Sequence, residues 1–251
     1  MGTIVVFANQ KGGVGKTTTA VNLGAYIAEA GRKTLLVDFD PQGNLSSSLG
    51  IDKKGAGIYE VISGKADITD VIQRTPVDNL FAISANIHLT GANVELVDQD
   101  DKEYFLKKSL EKIRSSFDYI FIDSPPSLGI LTLNGLVAAD FVIIPLQCEY
   151  FALEGLTLLV HTVAGIQKDL NKKLSIGGIV FTMYDTRTNL ANEVVKNVTG
   201  YFREKVFRTV IPRNVALSEA PSHGLPISRY REDSSGARSY KQLAQEVLSR
   251  V

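Results

Sequence analysis

The chain has 251 residues, of which 44% are hydrophobic and 22% charged, and its net charge is zero; that length builds one well-buried core and is marginal for two domains. A single cysteine, Cys148, excludes an internal disulfide and a cysteine-rich metal site, which suits a reducing compartment. No apolar run reaches the ~20 residues of a membrane helix, since the best stretch, 119–146, is interrupted by Asp123, Pro125, Pro126 and Asp140.

In chain order, "TIVVFA" (3–8) is a β-branched strand ending at a glycine-rich loop, and Thr17 to about Ala30 is a helix closed by Gly31. "KTLLVD" (33–38) is a buried strand, and "FDPQGNLSSSLG" (39–50) is a loop with at most a short helix. Residues 57–75 hold one or two short helices, "LFAIS" (80–84) is a strand, and 101–115 is an amphipathic helix. An acidic patch (Glu95, Asp98, Asp100, Asp101, Glu103) leads into that helix as a solvated start. Strands follow at 118–126, 140–146, 175–183 and 206–211, with helices at 129–138, 152–168, 189–204 and 236–250. A Pro- and Gly-containing loop spans 212–228. Uniformly apolar strands alternating with helices predict one doubly wound α/β domain over residues 1–251, a mostly parallel sheet with helices on both faces.

Zero net charge conceals an asymmetry. Residues 1–150 carry 13 Lys/Arg and 18 Asp/Glu, a net of −5, and residues 151–251 carry 14 and 9, a net of +5. The C-terminal part is therefore a candidate polyanion-binding surface.

The first loop, "NQKGGVGKTT", sits between strand and helix, where a phosphate-binding loop belongs. Gly12, Gly13 and Gly15 allow backbone N–H groups to turn inward around phosphate oxygens, with Val14 between them and the helix N-terminus adding partial positive charge. Lys16 is spaced to reach the β- and γ-phosphates, and the Thr17 hydroxyl to bind Mg²⁺; Thr18 follows in the first turn. Gln10 stands where the usual pattern has its first glycine, and a second lysine, Lys11, follows it. Asp123 ends an apolar strand, where a phosphate-loop protein keeps a second carboxylate for Mg²⁺. Asp38 and Asp40 both follow the second strand, and either could orient an attacking water. His88, His161 and His223 have no zinc-type spacing.

Four segments, "KGGVGKTTTAVNLG", "LLVDFDPQGN", "YIFIDSPPSLG" and "VIPRNVALSEAPSHGLPI", together resemble the ParA/Soj family of chromosome- and plasmid-partitioning ATPases, of the deviant Walker A class of P-loop NTPases. The resemblance covers nearly the whole chain, in order. It implies that Lys11 reaches across a dimer interface to the partner's ATP, while Lys16 serves its own nucleotide. A γ-phosphate adds negative charge at that interface, and a lysine from each side offsets it. It implies Asp40 as the carboxylate needed for hydrolysis, Asp123 as the Mg²⁺-linked one, and Pro212, Arg213 and Asn214 as the loop around the adenine.

The resemblance further implies an ATP-dependent homodimer that binds double-stranded DNA without sequence preference, which needs only cations facing phosphates. The candidates are Arg187, Lys196, Arg203, Lys205, Arg208, Arg229, Arg231 and Arg238. Many Soj-like chains have a basic residue where this one has Ala216. A ParB-type centromere-binding protein is the implied stimulator of a slow ATPase, because no built-in arginine finger is evident. The expected location is cytoplasmic and nucleoid-associated. Three alternatives keep the same loop. One is a relative positioning a protein cargo. Another is a MinD-like membrane-surface regulator, disfavoured because the last helix continues the fold rather than forming a basic membrane helix. The third, an iron protein like that of nitrogenase, needs two cysteines per subunit, which this chain lacks. With the first strand beginning at residue 3, no operator-binding helix-turn-helix is expected ahead of it.

Overall fold

The computed structural model describes residues 1–96 and 98–251. Its elements are β1 (Thr3–Phe7), α1 (Lys16–Glu29), β2 (Thr34–Asp38), α2 (Asn44–Ser48), α3 (Ile58–Ile62), β3 (Gln73–Arg74), β4 (Leu80–Ile83), α4 (Leu89–Glu95) and α5 (Phe105–Glu111). There follow β5 (Tyr119–Asp123), α6 (Ile130–Ala138), β6 (Phe141–Gln147), α7 (Ala152–Asp169), β7 (Ser175–Thr182), α8 (Asn189–Phe202), α9 (Val215–Glu219), α10 (Ile227–Tyr230) and α11 (Ser235–Arg250).

The strands form one seven-stranded sheet in the order β3-β4-β2-β5-β1-β6-β7, parallel except for the two-residue β3. Successive side chains of a strand point to opposite faces, so each strand feeds two cores. Ile4, Val6, Leu35, Val37, Ile120 and Ile122 face one side, where α3 to α8 cover them. Val5, Phe7, Leu36 and Phe121 face the other, covered by α1, α2 and α9 to α11. With both faces covered, β2 and β5 are buried at every position, the reason they read as unbroken apolar runs. This is the mostly parallel, doubly wound α/β architecture expected.

Register brings the site together. Phe7 and Asp38 both pair with Asp123, so β1, β2 and β5 end level. Their following loops meet at one sheet edge, outside the carboxyl ends of the strands, where open α/β sheets bind ligands.

The fold departs from the sequence expectations in the connections. Segment 206–211 does not join the sheet as a strand. It forms only an isolated bridge between Val206 and Ile179, with Phe207 N–H donating to Ile179 and Ile211 N–H to Phe181. Between them the Arg208 and Thr209 N–H groups donate instead to the Glu246 carboxylate on α11, at 2.8 and 3.1 Å. The expected helix over 101–115 is shorter, with 3₁₀ turns at Lys102–Tyr104 and Arg114–Ser116 on either side of α5. Its end is drawn off by Arg114, whose side chain donates to the Gly2 carbonyl and to Asp140. Helix α4 falls where no sequence pattern predicts one, and the 212–228 loop holds α9 and the start of α10.

Candidate functional site

The loop from Ala8 to Gly15 leaves β1 and enters α1. Gly13 and Gly15 have φ of +73° and +85°, a left-handed backbone that other residues adopt only with strain. These two glycines give the loop its curl. Asn9 braces it from below: its amide donates to the Pro145 carbonyl, and its Oδ1 accepts the Lys11 N–H at 3.0 Å. On the other side the Thr182 hydroxyl donates to the Val14 carbonyl at 2.8 Å.

Lys16 is buried, and its ammonium donates to the Lys11 carbonyl at 3.2 Å. Burial lowers its pKa, against the opposing pull of Asp123 and then Asp40. Thr17 Oγ1 donates to Asp123 Oδ2 at 2.6 Å. Asp123 is completely buried, and its other oxygen, Oδ1, has no hydrogen-bond partner. Its pKa is raised well above the ordinary value by burial and by Asp38, which lies level with it on the adjacent strand. A buried carboxylate oxygen without a donor is costly. A cation, or a water held by one, would satisfy Oδ1, so Thr17 and Asp123 fit a Mg²⁺ site of the phosphate-loop kind.

Asp40 is buried at the start of the loop after β2, and its Oδ1 accepts the Gln42 N–H at 3.0 Å. Asp38 instead faces inward, accepting from both the N–H and the hydroxyl of Ser46. Of the two carboxylates, it is Asp40, the one the resemblance implies, that lines the cleft with Gly12, Gly13, Gly15, Lys16, Thr17 and Thr18.

That cleft has a volume of about 430 Å³ and continues into a second cavity of about 200 Å³. Gly15, Thr18, Met183 and Pro221 line both, and the second is walled by Pro212, Arg213 and Asn214. Asn214 also caps α9, accepting from Leu217 N–H, and donates to Ser235 on α11. The two cavities form one continuous groove, with the glycine loop in one part and Pro212, Arg213 and Asn214 in the other. Among the described residues no cluster of three His, Cys, Asp or Glu side chains stands ready to hold a metal by itself.

Lys11 forms an ion pair with Glu149, which follows β6, and both side chains are half exposed. The family model described as an AAA domain matches residues 2–176. The chromosome-partitioning ATPase Soj of Treponema pallidum is 66% identical over 250 residues, covering 100% of this chain and 98% of its own. The sporulation initiation inhibitor protein Soj of Bacillus subtilis is 55% identical, covering 99% of each.

The chain belongs to the ParA/Soj family of chromosome-partitioning ATPases.

Among solved structures it is similar to cobyrinic acid a,c-diamide synthase from Mycobacterium smegmatis with a bound ATP analogue and magnesium. The two share 38% identity and a TM-score of 0.88, over 99% of this chain and 94% of that one.

The basic candidates are dispersed in this ParA/Soj fold. Arg187, beyond β7, is held by Asp185 through two hydrogen bonds of 2.9 and 2.6 Å. Arg203 and Lys205 follow the far end of α8, whose 14 residues span about 21 Å, and Lys196 is exposed midway along that helix. Arg208 lies on the segment beside β7. Arg229 pairs with Glu29, Arg231 stacks over the Tyr230 ring, and Arg238 donates to the Asp233 carbonyl. These last three belong to the opposite helix layer.

Several residues of the site carried no sequence signal. Met183 adopts φ of +49° at the junction of the two cavities. Asn22, buried on α1, accepts the Ile227 N–H at 2.7 Å and donates to the Thr18 carbonyl, tying α10 to the loop helix. The Thr19 and Tyr240 hydroxyls meet at 3.2 Å, docking α11 on α1. Pro221 belongs to the last of the four family segments, but only the fold puts it between the two cavities. No helix among the described residues is long and apolar enough to cross a membrane.

Proposed function

We propose that this protein is a Mg²⁺-dependent ATPase that works as a dimerisation switch on DNA. The observation that carries the reading is the fully buried Asp123, with one oxygen on Thr17 and the other unpartnered, facing a glycine loop and a buried lysine. Solved relatives with bound nucleotide and magnesium support the same ligands here.

In this reading the N–H groups of residues 12–17 and the Lys16 ammonium hold the β- and γ-phosphates, and Pro212, Arg213 and Asn214 enclose the adenine. Thr17 and Asp123 would hold Mg²⁺, which would supply charge neutralisation at the phosphates. Asp40 orients the attacking water at the γ-phosphate. Lys11 exchanges Glu149 for the phosphates of a second copy, so ATP joins two protomers and hydrolysis releases them. The paired protomers double the cations offered to DNA, and avidity makes binding depend on nucleotide without a change of fold. A ParB-type partner stimulates the hydrolysis, and the cycle moves chromosome or plasmid copies over the nucleoid.

The test is binding to a random-sequence duplex with ATP or ADP at two salt concentrations, for wild type, Lys16→Ala and Lys11→Ala. Tight binding with ATP alone, falling steeply with salt and lost in both variants, is the expected result. Binding indifferent to nucleotide would break the coupling of dimer to DNA. Retention by Lys11→Ala would remove that lysine from the interface.

A further inference from the structure

The nucleotide cleft has a second neighbour. At the end away from the base pocket, past Asp40, lies a cavity of about 730 Å³, a size within the range of ligand sites. Gln42 lines both spaces, and its N–H is held by Asp40. Lys53 stands in the wall between them. Its ammonium donates to Ser47 Oγ at 2.7 Å, and Ser47 lines the nucleotide cleft. The same side chain packs against Gly43, where a Cβ would meet its Cδ at 3.3 Å. Lys54 and His88 line the cavity further out.

The electrostatics favour an anion. Glu60 is the one carboxylate among the lining residues, and it is occupied by the Gly57 N–H at 2.7 Å and the Asn86 amide at 2.9 Å. Both donors meet the same oxygen, Oε2, and neither carries charge, so the lining sets two lysines against one carboxylate, a net positive balance. An ammonium has three donors; Lys53 gives one to Ser47 and has capacity for an anion beside it. A compact anion with several acceptor oxygens matches this arrangement better than a base or an apolar group, because nothing aromatic lines the cavity except the His88 ring.

We propose that this cavity is a phosphate-holding site, with Lys53 and Lys54 as its cations, which receives the inorganic phosphate leaving the cleft. The assignment of the anion as a reaction product rests on the ATPase reading above. In hydrolysis a water oxygen bonds to the γ-phosphorus as its bond to the bridging oxygen breaks, ADP keeps that oxygen, the water's proton goes to solvent, and inorganic phosphate is left at the Asp40 end of the cleft. The base pocket closes the opposite end, and the wall of Gln42, Ser47 and Lys53 leads outward to the cavity.

Full-length protein without nucleotide is titrated with inorganic phosphate and followed by ³¹P line width, for wild type, Lys16→Ala, the double variant Lys53→Ala/Lys54→Ala, and Lys53→Arg/Lys54→Arg. The expected result is retained binding in Lys16→Ala and in the arginine pair. The alanine pair should bind roughly ten-fold or more weakly, the loss expected for a charge-assisted hydrogen bond. Both lysines are exposed, so thermal melting should match wild type. Loss in Lys16→Ala with normal binding in the alanine pair would place phosphate on the glycine loop and overturn the proposal. In steady-state turnover, phosphate should inhibit wild type without competing against ATP, and inhibit the alanine pair less. Purely competitive inhibition, equal in both, would also overturn it. A wild type that binds phosphate through these lysines but does not hydrolyse ATP would sink the ATPase reading and leave the anion site standing.

Discussion

Burial sets the charge states at the strand ends. Asp38 and Asp123 lie level on adjacent strands, both without solvent exposure. Removing an ion from water disfavours it, so burial pushes Asp38 up to about 6, although Ser46 and the Asp40 N–H support the ionised form. An unfolded chain releases this proton near pH 4, whereas the folded chain keeps it until about pH 6. The folded state binds more protons in that window, so stability falls as pH rises from about 4 to about 6 and then levels off. Asp38→Asn keeps an acceptor for Ser46 and removes the charge. Without nucleotide it should gain about 3 kcal/mol over wild type at pH 7.5, and little at pH 4. Urea midpoints at the two pH values decide the matter; parallel pH profiles would show that Asp38 is not held against its charge. At this scale the sequence was informative wherever chemistry is local. Gly12 to Thr18 and Asp123 are legible as candidates because a phosphate loop needs given residues at given spacings, whereas Lys11 stands outside that pattern and its candidate role comes from the family resemblance alone. Asn22 and Met183 are not, because Asn22 acts on Ile227, 205 positions away, and Met183 matters only through its backbone angle.

Segment 206–211 shows how an element can be lost. Its pattern, VFRTVI, has the β-branched content of a strand, but ladder formation requires that its N–H groups face a neighbour. Two of them face Glu246, which also pairs with Arg250 on the same helix. The segment instead runs beside β7, held by the Phe207 ring against Gly178, where an added Cβ would lie 2.2 Å from ring carbon Cε2. Gly178→Ala should therefore displace Phe207 and cost roughly 1–3 kcal/mol of stability, as overpacking does, measured by urea unfolding with an unchanged slope. Because the segment continues into Ile211 and Pro212, which wall the second cavity, the proposed base site, fluorescent nucleotide should also bind more weakly. Wild-type stability in this variant would mean that the ring moves aside freely. The short α9 and α10 escaped reading for a related reason: each is too short to form alone, and each is held by tertiary partners, Ser235 on Asn214 and Asn22 on Ile227.

At the scale of the whole molecule, four of the exposed large apolar side chains follow strand ends on the side where the nucleotide cleft opens. Ile87 follows β4, Leu128 follows β5, and Tyr150 and Phe151 follow β6, the last two 76% and 64% exposed with their rings in edge-to-face contact. Apolar groups grouped on a surface mark an interaction face, and aromatic residues are the common anchors of interfaces. In the proposed dimer this face meets a second copy around Lys11. Tyr150→Ser combined with Phe151→Ser should weaken ATP-dependent dimerisation by on the order of ten-fold or more, with nucleotide affinity of the monomer unchanged. Sedimentation velocity with a non-hydrolysable ATP analogue gives the answer, and an unaltered dimer would put the interface elsewhere. The basic residues behave differently at this scale. Their excess after residue 150 is plain in the sequence, but the fold distributes them over two helix layers and engages several in local pairs, so the DNA-facing subset depends on how two protomers are joined.

The sequence by itself determined the layered architecture and the chemistry of the phosphate loop. Both follow from short-range rules: two-sided burial makes apolar strands, and glycines with a lysine make an anion cradle. The tertiary structure alone decided which segment beside β7 stays out of the sheet, and which residues join the cleft to the second cavity. Those outcomes turn on parallel register and on hydrogen bonds between residues far apart in the chain. A parallel sheet orders its strands differently in space and in sequence, so no local pattern can state them.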